Sequence, residues 1–256
     1  MANKLYNILV PVDFTTKNKW AIAKAIELSN SFHCNIHLVY IARSGQTLFS
    51  NHIRREAASK KLEILKSIYK NQLCGEGSLE ISLLAGNPQK QLARYIEQYE
   101  MDLVVTGLSK FNFLQRIISS VSISRLAKKT NVPVLAVRSS GLICHFKKIV
   151  LPVSGEVPIR QIRLAALLGR AFKSTVYFVS LRQHAGLTTQ TVLDTALEMV
   201  QSISTIPVQF FLLEGQNLAK STLDFSKKIN ADLIMVNPVK DFRLPGLGIR
   251  LSNKLL

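Results

Sequence analysis

The chain contains itself twice. Asn7-Ile8-Leu9-Val10-Pro11-Val12-Asp13 returns as Lys148-Ile149-Val150-Leu151-Pro152-Val153-Ser154, in a gapless register of 141 residues. Leu83-Leu84-Ala85-Gly86-Asn87 is answered by Leu212-Leu213-Glu214-Gly215-Gln216, and Asp102-Leu103-Val104-Val105 by Asp232-Leu233-Ile234-Met235. Three blocks in one order describe two copies of a domain rather than a short-period solenoid. Each copy has about 110–140 residues, an ordinary domain size. The reading places one domain at 1–140 and a second at 146–256, joined by a short linker from Ser139 to Phe146. Function is to be sought in what one copy keeps and the other has lost.

Composition narrows the class. A hydrophobic fraction of 47% suffices for two cores, and no run approaches the ~18 apolar residues of a membrane span. The N-terminus enters a strand at once, without the long apolar stretch of a signal peptide. Cys34, Cys74 and Cys144 are scattered, which argues for a reducing compartment and against a disulfide framework or a structural zinc site. A cytoplasmic chain is expected, with no membrane contact. The net charge of +17 favours anionic partners. Yet the basic residues fall as isolated pairs, such as Arg54-Arg55, Lys128-Lys129 and Lys227-Lys228, in amphipathic segments where paired charges form a solvated face. No basic run with interleaved aromatics occurs, so nucleic acid is not expected as the main partner.

Periodicity alternates between the two regular structures. In the first copy, apolar runs predict strands at 7–12, 35–41, 79–84, 103–106 and 132–137. Helical spacing is expected over 20–32, where Ala21, Ala25, Ile26, Leu28 and Phe32 recur, after a polar turn from Asp13 to Asn18. A long charged helix is expected over 46–72, with Ile53, Ala57, Leu62, Leu65 and Ile68 on one side. Further helices are expected at 88–99 and 114–129, the former opened by Pro88, which suits a first helical turn. The second copy predicts strands at 148–153, 175–181, 207–213 and 232–236, and helices at 158–172, 188–203 and 217–229. It reaches Leu256 one strand short of the first copy's count. Strands alternating with helices imply right-handed crossovers and a parallel sheet covered on both faces.

The blocks Ile8-Leu9-Val10-Pro11-Val12-Asp13, Gly86-Asn87-Pro88, Asp102-Leu103-Val104-Val105-Thr106-Gly107 and Asn131-Val132-Pro133-Val134-Leu135 resemble the universal stress protein family in its tandem two-domain form. The resemblance covers essentially the whole chain. It implies an α/β fold of two tandem doubly wound parallel-sheet domains, of the adenine-nucleotide α-hydrolase-like kind, the second lacking its last strand. It also implies pairing across the fifth strand, and hence self-association as an intramolecular pseudo-dimer and a homodimer. Cytoplasmic roles in stress resistance follow as well. The family has branches that bind nucleotide and branches that do not. In binders an Asp follows the first strand, and a loop after the fourth reads Gly-x-x-Gly, nine residues, then Gly-Ser or Gly-Thr. Glycines let backbone N–H groups approach phosphate, and a helix N-terminus adds donors.

This chain departs from that pattern. In copy one Asp13 and Gly107 match, but Lys110 replaces the second glycine, Ser120 the third, and Val121 the hydroxyl. In copy two Ser154 replaces the Asp, Asn237-Pro238 opens the loop, Lys240 falls where the second glycine belongs, and Gly246 and Gly248 come too early. Pro238 also removes an N–H donor. Two readings of copy one stay open. In the first, ATP or AMP lies over Pro11, Val12 and Asp13, beside Val39 and Ile41, with Gly107, Ser109, Lys110 and Ser120 near phosphate. In the second, Asp13 caps the following turn or helix, Gly107 is a tight turn and Lys110 is solvated.

Nothing assembles an acid, a base and a nucleophile. There is no Gly-x-Ser-x-Gly elbow, no phosphate-binding loop ending Gly-Lys-Ser/Thr, and no His-Glu-x-x-His. His33 and His37 flank Cys34, and on a strand they would share a face, but no carboxylate stands beside them in sequence. No enzyme activity and no metal are expected. The sequence therefore reads as a non-enzymatic stress-response protein of the branch that does not bind ATP tightly, with protein partners still to be identified. The alternative is an ATP-binding protein using domain 1 only.

Overall fold

Val and Ile runs build two parallel sheets in a computed structural model, which describes residues 4–42, 48–107, 123–137, 145–154, 157–182 and 187–236. Contacts divide the chain into two units, residues 2–142 and 143–256. The first unit runs β1 (Asn7–Val12), α1 (Thr16–Phe32), β2 (Asn35–Ala42), α2 (Leu48–Lys70), β3 (Leu79–Ala85), α3 (Pro88–Gln98), β4 (Leu103–Gly107), α4 (Ile123–Thr130) and β5 (Val134–Val137). Its sheet has the order β3-β2-β1-β4-β5, every pair parallel. The chain therefore steps outward to β3, returns across to β4 and continues to β5. Right-handed crossovers then put α1 and α2 on one face and α3 and α4 on the other. The α3–α4 face is a cluster of Leu9, Val39, Leu92, Ala93, Tyr95, Ile96, Met101, Val104 and Leu126, with Ile41, Leu84 and Val134 packed against it.

The second unit runs β6 (Lys148–Pro152), α5 (Ile159–Phe172), β7 (Thr175–Leu181), α6 (Leu187–Ile203), β8 (Val208–Leu213), α7 (Leu218–Lys228) and β9 (Leu233–Ile234). Among the described residues its sheet has four strands, β8-β7-β6-β9, again parallel.

The repeated blocks explain themselves. Asp102 Oδ2 accepts from the Tyr6 N–H at 2.7 Å and the Asn7 N–H at 3.0 Å, and Asp232 Oδ2 accepts from the Lys148 N–H at 2.9 Å. In each unit this carboxylate ties the start of the fourth strand to the start of the first. Gly86 and Gly215 both hold positive φ, +117° and +122°, a conformation that favours glycine. The N-cap that follows is Asn87 in one unit and Asn217 in the other, each accepting the N–H of a lysine three residues on, at 3.1 and 3.0 Å. Structurally Asn87 thus corresponds to Asn217, and Gln216 is an added residue.

Two expectations change. Helix α1 starts at Thr16 rather than Trp20, because Asn18, at the third helical position, reaches back to the Thr15 N–H at 3.2 Å. Helix α2 does not present one apolar side. Ala58 and Leu62 are buried, whereas Ile53, Ile64 and Ile68 are more than half exposed and Ala57 is exposed. The helix carries two apolar stripes, and the sheet takes the one that includes the small Ala58.

Candidate functional site

In an open parallel sheet ligands bind at the carboxyl ends of the strands, where the strand order reverses. Here that point lies between β1 and β4, and it brings the ends of those strands, Asp13 and Gly107, to the same edge of the sheet. Of the residues marked by the sequence, Asp13 and Gly107 are two that the topology brings together.

Their chemistry is largely occupied by their own surroundings. Asp13 Oδ1 accepts from the Thr15 N–H at 3.0 Å and from the Thr15 hydroxyl at 2.5 Å. Its Oδ2 lies 3.9 Å from Lys17 Nζ. The Asp13 N–H donates to Asn18 Oδ1 at 2.9 Å, and the Asn18 amide donates to the Pro11 carbonyl at 3.3 Å. Asn18 is 7% exposed and Thr15 is exposed, so the knot is buried at its Asn18 side and open to water at its Thr15 side. It turns the chain from β1 into α1, with Phe14 between them at φ +58°. Phe14 leans on Tyr40 at 4.7 Å between ring centroids, and Lys61 Nζ sits 5.4 Å above the Phe14 ring.

Gly107 has a packing role. A Cβ at this position would lie 2.2 Å from the Lys17 carbonyl oxygen and 2.7 Å from its carbon, so the first turn of α1 rests on the bare backbone of β4. Gly107 is still in the strand, paired with Val137, and is not a loop turn.

Of the other residues the sequence singles out, Pro11 and Val12 are buried at the end of β1. Val39 is 1% exposed inside the α3–α4 cluster, and Ile41 packs against that cluster half-buried. Ser109, Lys110 and Ser120, with Val121 and the second copy's Asn237, Pro238 and Lys240, lie outside the described residues. Among the described residues of the second unit the Asp13 knot has no counterpart. Ser154 stands two residues beyond β6, and α5 begins after Pro158 with no side-chain cap. Sequence reasoning missed Thr15, Lys17 and Asn18 as partners of Asp13. The signal was present in the Asp-x-Thr spacing of an Asx turn followed by a polar third helical residue.

The histidines part company. His33 is the left-handed C-cap of α1, at φ +52°, and not a strand residue. His37 lies on β2, its Nδ1 2.9 Å from the Tyr95 hydroxyl, which is 2.9 Å from Ser82 Oγ. Burial lowers the His37 pKa from 6.5, and Glu80 opposes that shift. Between the histidines, Cys34 is buried and its thiol is raised to about 11 by desolvation, so it stays protonated and unreactive. Among the described residues no group of three or more His, Cys, Asp or Glu could hold a metal ion, and no helix is long and apolar enough to cross a membrane.

Residues 5–138 match the model of the universal stress protein family. A universal stress protein of Methanocaldococcus jannaschii is 23% identical over 146 residues, covering 53% of this chain and 84% of that protein. A crystal structure of a universal stress protein from Archaeoglobus fulgidus superposes with a TM-score of 0.66 at 15% identity, covering 89% of this chain and 85% of that one. A universal stress protein from Lactobacillus plantarum gives a TM-score of 0.43 at 20% identity, covering 53% of this chain and 99% of that one.

Proposed function

The chain belongs to the universal stress protein family, and from that premise we propose that it is a non-enzymatic, cytoplasmic stress-response protein of the branch that does not hold ATP tightly. What supports this reading most is the state of Asp13. One carboxylate oxygen is already taken by the Thr15 N–H and hydroxyl, and the other faces Lys17. A nucleotide hydroxyl would compete with the two donors on Oδ1, each bond worth about 1 kcal/mol or more, or share Oδ2 with the Lys17 ammonium. Gly107, the residue expected near phosphate, already receives the Lys17 carbonyl. In the second unit Ser154 offers no carboxylate at all. The protein then works through protein partners, other copies of itself among them.

The rival is an ATP-binding protein that uses the first unit alone. The deciding experiment is mass spectrometry of small molecules released on denaturing the purified protein, with ATP titration calorimetry on the same batch. The proposal expects a blank in both, unchanged in Asp13→Ala and in Ser154→Ala. Co-purified nucleotide, or a saturable isotherm abolished by Asp13→Ala and kept by Ser154→Ala, overturns it in favour of the rival.

A further inference from the structure

Among the described residues β8 ends the second sheet, and no strand pairs with its outer edge. The Val176 N–H donates to the Pro207 carbonyl at 2.9 Å. Bonding alternates along a parallel ladder, so Gln209, Phe211 and Leu213 turn their backbones toward β7. The N–H and C=O groups of Val208, Phe210 and Leu212 therefore point away from the sheet. Around them Phe210, Phe211 and Leu212 are 39%, 39% and 40% exposed. Val208 to Leu213 contains no charged residue. The aromatic rings are held in place. Phe210 stacks on buried Phe178 at 5.4 Å, and Phe211 packs on Phe225 at 4.9 Å.

The first unit supplies the control. Its equivalent edge strand, β3, carries Glu80, half exposed and 3.8 Å from Lys66, and α2 packs along it. Charge on an edge discourages the addition of another strand. β8 has lost that guard, and its helix α6 packs against α5 instead.

We propose that β8 is a strand-addition edge that receives an extended, acidic segment of a partner protein. The charge of +17 selects the occupant of this edge, since an acidic segment is drawn to it more strongly than a second basic copy. Nearby, Lys220, Lys227 and Lys228 on α7 are exposed, against Asp224, while Arg182 at the end of β7 is paired with Glu214. Main-chain bonds from the guest go to Val208, Phe210 and Leu212. Alternate guest side chains lie on opposite faces. Apolar ones cover Phe210 and Leu212, and acidic ones reach the lysines of α7 on the Phe211 side.

The test is fluorescence anisotropy with a labelled peptide alternating Val and Glu, added to the full chain. Saturable binding is expected, with none for a peptide alternating Val and Lys. Leu212→Pro removes an outward N–H without touching the β7 ladder and should weaken binding about tenfold, the worth of one such bond. Leu212→Glu keeps the N–H but restores an edge charge, and should weaken binding as much, so the proposal stays exposed if the proline variant misfolds. Unchanged affinity in Leu212→Glu, or equal binding of the Val–Lys peptide, overturns the proposal. So does a concentration-dependent dimer in sedimentation that Leu212→Glu dissolves, for then the edge belongs to a second copy.

Discussion

At the starts of their sheets the two units are built alike, and at the wall facing α3 or α7 they are not. Asp102 and Asp232 make the same carboxylate-to-backbone tie, and Asn87 and Asn217 cap equivalent helices. On the wall, the first unit has a polar chain of His37, Tyr95 and Ser82. At the matching places the second has only the rings of Tyr177, Phe225 and Phe211, with centroids 4.9–6.2 Å apart. The second unit also buries the hydroxyls of Ser174, Ser180, Ser204 and Thr222 without hydrogen-bond partners among the described residues. Side chains that hold backbone were kept after duplication. Those that face one another drifted, toward a bonded polar network in one unit and toward bare rings and orphaned hydroxyls in the other.

The largest effect should come from Gly107, on which the first turn of α1 rests. Gly107→Ala drives a Cβ into the Lys17 carbonyl and should cost about 3 kcal/mol of unfolding free energy, because backbone must move. Gly169→Ala in the second unit meets the tip of the Ile206 side chain at 2.7 Å. That tip can rotate away, so about 1 kcal/mol is expected in the same urea titrations. Equal losses would remove the special role given to Gly107.

The clamp gives the next contrast. Asp102→Ala leaves two N–H groups without their acceptor and Asp232→Ala leaves one, so losses of about 3 and about 1.5 kcal/mol are expected. A reversed order in chemical denaturation would show that the second unit depends more on its clamp. Smaller and of opposite sign, Thr222→Val should stabilise the second unit by up to about 1 kcal/mol, since it replaces a buried hydroxyl that has no partner with a methyl. A lowered melting temperature would mean the hydroxyl is satisfied after all.

The smallest effect is a pH dependence confined to the first unit. His37 titrates below its ordinary 6.5 in the folded state because it is desolvated. As pH falls, the unfolded chain takes up that proton first. The stability due to the neutral imidazole is therefore intact above about 6.5 and is lost as pH falls through that value toward the folded pKa. His37→Tyr, which installs the second unit's residue, should flatten this part of the melting-temperature profile. A profile unchanged in that variant would assign the dependence to another group.

Much of this was legible in the sequence, and the exceptions have causes. β1 and β7 could be read to the residue from Val- and Ile-rich runs, and the Gly86-Asn87-Pro88 turn from the conformational demands of those three residue types. The position of Asp13 followed from its place after the first strand, and that of Gly107 from its place at the end of the fourth. What each does there did not follow. The Lys17 carbonyl against Gly107 exists only because α1 starts four residues earlier than its apolar pattern suggests, and that start is set by polar bonds from Asn18. The exposed stripe of α2 was misread because a helix with two apolar stripes gives a periodicity with no single buried side. The openness of β8 was hidden for a related reason, since a charge-free apolar strand looks the same in sequence at an edge as in the middle of a sheet.

The Asp102 tie also orders events in time. It joins residues 96 apart in the chain, so it cannot close until β4 has been made. β2 ends at Ala42 and β4 begins at Leu103, so at synthesis rates of about 5–20 residues per second β1 waits about 3–12 s beside β2 with its other edge bare. During that interval Ile8, Leu9 and Val10, wholly buried in the finished protein, line an unpaired strand. The nascent first unit is an incomplete sheet through that interval. The aspartate closes as β4 arrives, the latch that ends this exposure before β5 is added.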